Sequence, residues 1–204
     1  ADLGNVDEAL SLCQVLSAEA FNTKAYNVLV HMEHIKASLN LVKGDSSATI
    51  MGYKTALMLI DRNKGCVTPE QHAVLVSDYA VALEALEGDL HGAREQLGWA
   101  VKVFESQSGA QGFSIGLRHK DRTNMFCRST PLYLNALMNL GRCDVLLAQS
   151  GAVDAKRYAK QALETFAQCH NKALYCALDA HIQASMHTYT GCASATLGDF
   201  KSAL

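Results

Sequence analysis

Proline is scarce in this chain. Only two prolines occur among 204 residues, against a usual frequency of about 5%. Proline removes a backbone hydrogen-bond donor and clashes with the preceding turn inside a helix, whereas the abundant alanine and leucine favour helix. The composition therefore predicts a largely helical protein.

A strong charge of either sign is also missing. The formal net charge is -2, and 19% of the residues are charged. This balance argues against direct nucleic-acid binding, because such proteins usually carry a clear excess of lysine and arginine. No apolar run approaches the roughly 20 residues that a membrane-spanning helix needs, so the sequence predicts no membrane partner.

The seven cysteines lack the spacing of a known site. No Cys-x-x-Cys pair occurs, so the sequence supports neither a zinc ribbon nor a thioredoxin-like redox motif. We interpret these cysteines as reduced and mostly buried thiols that pack as small hydrophobes. That interpretation favours a cytoplasmic or nuclear location.

Catalytic motifs are absent as well. Neither a glycine-rich phosphate loop nor a nucleophile elbow occurs, so we predict no enzyme activity and no cofactor. In "HMEHIK", His31 and His34 lie one helical turn apart with Glu33 between them, a spacing that can hold a metal. Because no third or fourth ligand is marked, we interpret them as exposed polar positions and predict no metal site.

What the sequence does contain is a repeated turn. A glycine beside a small polar or acidic residue recurs at intervals of 40, 44, 63 and 47 residues. An amphipathic helical pattern follows each glycine, with apolar residues at three- and four-residue steps such as Ala93, Leu97 and Ala100. The turn glycines are Gly4, Gly44, Gly88, Gly151 and Gly198.

A second and more uniformly apolar helix is predicted before each later glycine. Thr68 and Pro69 mark the start of one such helix, with Gln71 closing a capping box, and Thr130 and Pro131 mark another. Helix, glycine turn and helix in repetition predict stacked αα-hairpins that share a continuous core. These first helices of the hairpins are predicted at about 22–42, 70–87, 131–149 and 172–196.

This pattern resembles the tetratricopeptide family. That family places a small residue early in the first helix, then a Gly-Asp or Gly-Asn turn, then Ala-x3-bulky-x2-Ala in the second helix. The chain matches at Gly88, Ala93, Leu97 and Ala100. It matches again at Gly191, Gly198 and Ala203, and at Gly4 with Ala9.

The resemblance implies an all-α fold, an αα-hairpin solenoid that follows a right-handed superhelix. We expect one tetratricopeptide-like domain over residues 1–204, with about four hairpins and ends cut from a larger protein. The units of 40–47 residues are longer than the family's usual 34. They resemble scaffolds of large eukaryotic assemblies, kinesin-light-chain-type arrays and regulatory domains of bacterial transcription activators, and the motifs leave this choice open.

One interval of 63 residues contains an inserted loop at about 109–130. Long loops inside compact repeats are usually functional or disordered. Its four cations oppose only Asp121, so we predict a basic contact for an acidic partner segment or for phosphates. The alternative is a loop that packs back on its own solenoid. The cations are Arg118, Lys120, Arg122 and Arg128.

In tetratricopeptide-like arrays the first helices line a concave groove, where asparagine and basic residues often hold an extended peptide. The resemblance therefore points to two rows of polar residues, although both could be ordinary exposed positions. An asparagine side chain suits this role, because it can donate to and accept from one peptide bond. The rows are Asn135, Asn139 and Arg142 on one first helix, and Lys24, Asn27 and His31 on an earlier one.

The function predicted on this basis is a protein–protein interaction scaffold or adaptor within a larger protein or complex. It would bind a segment of a protein or peptide partner in the groove, without catalysis. The alternative is a regulatory domain that senses a ligand or peptide and controls an attached effector, for example a transcription activator.

Overall fold

The computed structural model describes residues 3–110, 130–173 and 180–199 of the chain. Within these ranges all regular secondary structure is helical, which confirms the predicted all-α fold class. Most of the predicted basic loop lies outside the described residues, including Arg118, Lys120, Arg122 and Arg128. Its role stays a prediction.

The described helices follow one another closely. Helices α1 to α4 pack consecutively, as do α5 to α8, and α2–α3 and α6–α7 form hairpins. The helices are α1 (Leu3–Asn22), α2 (Tyr26–Lys43), α3 (Ser46–Arg62), α4 (Pro69–Ala82), α5 (Leu90–Ala110), α6 (Thr130–Gln149), α7 (Ala155–Ala173) and α8 (Ala180–Thr196), and a π turn at Leu83–Glu87 extends α4.

The chain forms two compact units, Ala1–Gly88 and Asp89–Leu204. The first unit contains α1 to α4 and the second contains α5 to α8. Consecutive αα-hairpin packing is thus present in each unit. A single domain over residues 1–204 and a right-handed superhelical path remain predictions.

The repeated glycine turn has the conformation that its residues favour. Gly44 has a φ of 82°, in the left-handed region that glycine adopts without strain. The backbone N–H of the next residue, Asp45, donates to the carbonyl of Asn40 at 2.9 Å, which closes the end of α2. The Asp45 carboxylate then accepts from the Ala48 N–H at 2.9 Å and caps α3. Two residues therefore end one helix and start the next.

Helix α4 begins with the predicted capping box. The Thr68 hydroxyl accepts from the Gln71 N–H at 3.2 Å, and the Gln71 side-chain oxygen accepts from the Thr68 N–H at 2.9 Å. Pro69 occupies the first helical position. A backbone N–H at this position has no intrahelical acceptor, so proline costs the helix no hydrogen bond there. This confirms the predicted helix start.

Replacing Thr68 with alanine should lower the free energy of unfolding by about 1 kcal/mol, because the Gln71 N–H loses its acceptor. Urea unfolding followed by far-UV circular dichroism measures the change. Thr68→Ser, which keeps the hydroxyl, is the matched control and should stay close to the wild type. Equal midpoints for the alanine and serine variants would contradict the assigned cap.

Small residues allow neighbouring helices to approach closely in both units. In the first unit, a Cβ added to Gly52 of α3 would lie 3.0 Å from the Cβ of Ala37 on α2. In the second unit, a Cβ added to Gly141 of α6 would lie 2.6 Å from Cε1 of Phe166 on α7. Phe166 belongs to a buried cluster, and the small residues at its border let the aromatic ring fill the space between helices.

Candidate functional site

Two side-chain contacts join α2 and α4 in the first unit. The Nε2 atom of His34 on α2 lies 2.8 Å from Oδ2 of Asp78 on α4, so the imidazole N–H donates to the carboxylate. One turn earlier on α2, His31 contacts the side-chain amide of Gln71 at 3.4 Å. These polar contacts fix the two helices side by side.

Tyr53, a residue of α3, packs beside the His34–Asp78 pair. The ring of Tyr53 lies 5.8 Å from the His34 ring and 6.0 Å from the Tyr79 ring. Its hydroxyl lies 3.4 Å from the Ser38 hydroxyl. Burial raises the pKa of Tyr53, the Ser38 hydrogen bond acts in the opposite direction, and the negative charge of Asp78 raises it further. Tyr53 is therefore a neutral phenol at neutral pH that packs beside His34.

Apolar side chains are exposed to solvent on α2, as they also are on α1. Val28, Ile35 and Val42 keep 38%, 43% and 58% of their surface exposed. His31 lies among them and brings a polar ring that already contacts Gln71. We call this surface the first-helix face, formed by Val28, His31, Ile35 and Val42 of α2 with Gln71 of α4. It combines exposed apolar side chains with imidazole and amide groups.

The predicted row on the same helix is only partly formed. Lys24 has a φ of 57° and lies in the turn before α2, so it does not belong to the helical row that its spacing suggested. Asn27 is an exposed residue at the start of α2, and His31 is half-buried one turn later. The part these residues play in binding stays a prediction.

The predicted row of the second unit lies on α6. Asn135 is exposed, whereas Asn139 and Arg142 are half-buried. The four- and three-residue steps place all three on one side of the helix. Asn135 is the most accessible of them to a partner, and a groove role for the row stays a prediction.

A buried ion pair in the second unit was not predicted from the sequence. Nε of Arg94 on α5 donates to the carboxylate of Asp144 on α6 at 2.5 Å, and Nη2 donates to Oε1 of Gln161 on α7 at 3.1 Å. The guanidinium also lies 5.5 Å from the centre of the Tyr158 ring. Only 2% of the Asp144 side chain is exposed. One arginine therefore connects three helices.

The pKa of the Asp144 carboxyl is subject to opposing effects. Burial raises its pKa, while the hydrogen bond and positive charge of Arg94 lower it, with a smaller contribution from Arg157. The sequence did carry a signal for this pair. Asp144 is an acidic residue within the apolar run "CDVLLA", and a buried carboxylate needs a cationic partner.

A pocket of about 320 Å³ also lies in the first unit and was not predicted. It forms between the start of α3 and the π turn, and it is partly open to solvent. Leu86 and Glu87 of the π turn form one side of its lining. The pocket is lined by Ser46, Ser47, Ile50, Met51, Lys54, Leu86 and Glu87.

Metal-binding clusters and membrane-spanning helices are both absent from residues 3–110, 130–173 and 180–199, which the structure describes. No group of three or more His, Cys, Asp or Glu side chains there could hold a metal. No helix there combines the length and apolar character needed to cross a membrane. The five cysteines in these ranges are free thiols, and Cys13, Cys143 and Cys169 are buried.

Comparison with known proteins finds distant structural likeness. The chain matches no family model and no curated protein. Among solved structures it is similar to BtubC (BKLC) from P. vanneervenii, at 17% sequence identity and a TM-score of 0.44. The likeness covers 97% of this chain and 86% of that chain. A likeness at this level carries no argument about function.

Proposed function

We propose that this chain is a tetratricopeptide-like scaffold or adaptor that binds a segment of a protein partner on the first-helix face. The observation that carries the proposal is the exposed apolar row of Val28, Ile35 and Val42 beside His31 and Gln71. Burying such a row against a partner removes apolar surface from water, and the polar groups can hydrogen-bond the partner's backbone.

The proposal assigns binding without catalysis. His34, Asp78 and Arg94 are the reactive or charged side chains with the most defined partners, and each contacts a neighbouring helix. His34 and Asp78 therefore connect α2 and α4 beside the first-helix face, and Arg94 connects helices of the second unit. We further propose a cytoplasmic or nuclear location and membership of a multiprotein complex, which the free thiols favour.

The alternative function, a ligand-sensing regulatory domain, would use a pocket in place of an extended face. The pocket between α3 and the π turn is the observation in its favour. Most small-molecule sites enclose the greater part of their ligand, whereas this pocket is partly open. The scaffold proposal therefore has the stronger support.

A matched pair of substitutions tests the binding face. Ile35 on α2 and Met58 on α3 are both 43% exposed, so glutamate at either position costs little in folding. Peptides selected on the wild-type chain from an unbiased displayed library should bind Ile35→Glu at least tenfold more weakly. They should bind Met58→Glu within twofold of the wild type. Fluorescence anisotropy measures each affinity.

Two results would count against the proposal. The first is a library that yields no peptide above background. The second is an equal loss of affinity in the Ile35→Glu and Met58→Glu variants. A small molecule that raises the melting temperature of the wild type, but not of a Met51→Glu variant in the pocket, would favour the sensing alternative.

A further inference from the structure

A second apolar surface lies on α1 and differs from the first-helix face in its charges. The buried residues of α1 recur every seven positions on one side of the helix, and the helix packs on α2. Away from that side, Leu12, Val15 and Leu16 keep 60%, 65% and 36% of their surface exposed. At about 3.6 residues a turn, the three side chains lie within an arc of about 100°. They therefore form one exposed apolar patch.

Two carboxylates border this patch along the helix axis. Glu8 precedes Leu12 by four positions and Glu19 follows Val15 by four, so both lie in the same arc, about 16 Å apart along the helix. Both are exposed, and neither forms an ion pair with any residue in the described ranges. We call this surface the α1 outer face, formed by Glu8, Leu12, Val15, Leu16 and Glu19.

No cation of α1 offsets these two charges. The helix contains no lysine, arginine or histidine. Its third acidic residue, Asp7, pairs with Lys43 of α2 at 2.7 Å, so the charge of Lys43 already compensates Asp7. The charges of Glu8 and Glu19 stay uncompensated, and they lie at the two ends of the apolar patch. The α1 outer face therefore presents apolar surface between two free carboxylates.

The two free carboxylates determine which occupant fits the α1 outer face. An occupant without cations would remove water from both carboxylates and leave them without a partner, which costs free energy. A second copy of the same face would place glutamate opposite glutamate. An anionic membrane surface or a nucleic acid would be repelled by the same charges. A segment whose apolar residues lie between two cations buries the patch and pairs both carboxylates.

From these observations we propose that the α1 outer face is a second interaction surface, which binds a protein segment with apolar residues flanked by lysine or arginine. The two flanking cations of the partner lie about 16 Å apart, so that each reaches one glutamate. The proposal concerns a different helix from the first-helix face and does not depend on it.

Peptide selection with a counter-selection step tests the proposal on the whole chain. A displayed library of random peptides is selected on the wild type, and every peptide that also binds Val15→Ser is removed. Val15 is 65% exposed, so serine there costs little in folding and leaves the first-helix face intact. The surviving peptides therefore need the α1 outer face. Fluorescence anisotropy of each synthesised survivor measures its affinity at low and at physiological salt.

The surviving peptides should carry lysine or arginine on both sides of an apolar centre. The double variant Glu8→Lys with Glu19→Lys should bind them at least tenfold more weakly than the wild type. Binding to the wild type should also be weaker at physiological than at low salt, because ions screen exposed charges.

Two matched controls accompany these variants. Glu95→Lys with Glu164→Lys changes the net charge equally at exposed glutamates of α5 and α7, and should keep the affinity within twofold of the wild type. Phe21→Ser matches Val15→Ser, because Phe21 is 67% exposed and lies about 120° round α1 from Val15. It should bind the survivors as the wild type does. Circular dichroism melting of each variant verifies that it is folded.

Three results would overturn the inference. The first is a selection in which no peptide survives removal on Val15→Ser. The second is a set of survivors that lack basic residues, or that bind the Glu8→Lys, Glu19→Lys double variant as tightly as the wild type. The third is sedimentation that shows a wild-type oligomer and a monomeric Val15→Ser variant, which would identify a second copy as the occupant. None of these results bears on the first-helix face, which Ile35→Glu tests separately.

Discussion

Replacing Arg94 with methionine is expected to lower the free energy of unfolding by about 3 kcal/mol. The substitution removes the cation from a carboxylate of which only 2% is exposed. Breaking a buried ion pair by removing one partner usually costs about 3–5 kcal/mol, because the remaining charge stays buried without compensation. We place the value at the lower end because one third of the Arg94 side chain, 33%, is exposed. Urea unfolding followed by circular dichroism measures the change.

Two variants separate the ion pair from simple loss of packing. The double variant Arg94→Met with Asp144→Leu should recover most of the lost stability, because no charge then remains buried. Arg157→Met is the matched control. Its bridge to Asp154 spans one helical turn at 3.0 Å, and both side chains are largely exposed, so its loss should cost under about 0.5 kcal/mol.

The dependence on pH gives an independent measurement. Without Arg94, the largest opposing contribution is gone, so burial should hold the pKa of Asp144 still further above the usual 3.8. A carboxyl whose pKa is raised in the folded state favours folding when protonated, and that contribution is lost as pH rises through the raised pKa. The deficit of Arg94→Met should therefore shrink as pH falls from 7 toward 4. A deficit that is constant over this range would contradict the buried carboxylate as its cause.

Gly141→Val is expected to lower the free energy of unfolding by about 2–3 kcal/mol. Even the first added carbon would lie 2.6 Å from Cε1 and 2.8 Å from Cζ of Phe166, closer than van der Waals contact allows. The Phe166 ring is 2% exposed and stacks with Tyr189 at 6.3 Å, so it cannot swing into solvent. Overpacking of a dense core usually costs about 1–3 kcal/mol. Differential scanning calorimetry measures the shift.

Gly98→Val is the matched control. Gly98 lies within α5, and a Cβ there would meet nothing within 4 Å. Valine has a slightly higher helix propensity than glycine, so this variant should be equal to the wild type or slightly more stable. Adding Phe166→Leu to Gly141→Val should restore part of the loss. If the two valine variants unfold alike, the close contact between α6 and α7 is contradicted.

Features set by neighbouring residues could be predicted from the sequence. The turn at Gly44 and the capping box of Thr68 and Gln71 depend on groups within a few positions of one another. The helical character of the chain and the start of α4 at Pro69 could likewise be predicted from neighbouring residues. Lys24 shows where such reasoning fails. Its spacing fitted a helix, but the chain takes a left-handed turn there before α2 begins.

Features that depend on distant residues could not be predicted. Arg94 and Asp144 are 50 positions apart, and nothing near Arg94 identifies its partner. The first-helix face raises a different difficulty. Apolar residues occur nearly all round α2, and only the packing of α1, α3 and α4 determines which of them stay exposed. The pocket is lined by residues of α3 together with Leu86 and Glu87 of the π turn, which lie more than 30 positions later in the chain.

The two-residue turn between α2 and α3 also bears on how the chain folds. Gly44 and Asp45 end one helix and cap the next with groups that lie within five positions of them. Bringing α2 and α3 together therefore closes only a very short loop, and the entropy lost in that step is small. Chains dominated by contacts between residues close in sequence fold quickly. We infer that this hairpin forms early, before long-range pairs such as Arg94 and Asp144 fix the helices of the second unit.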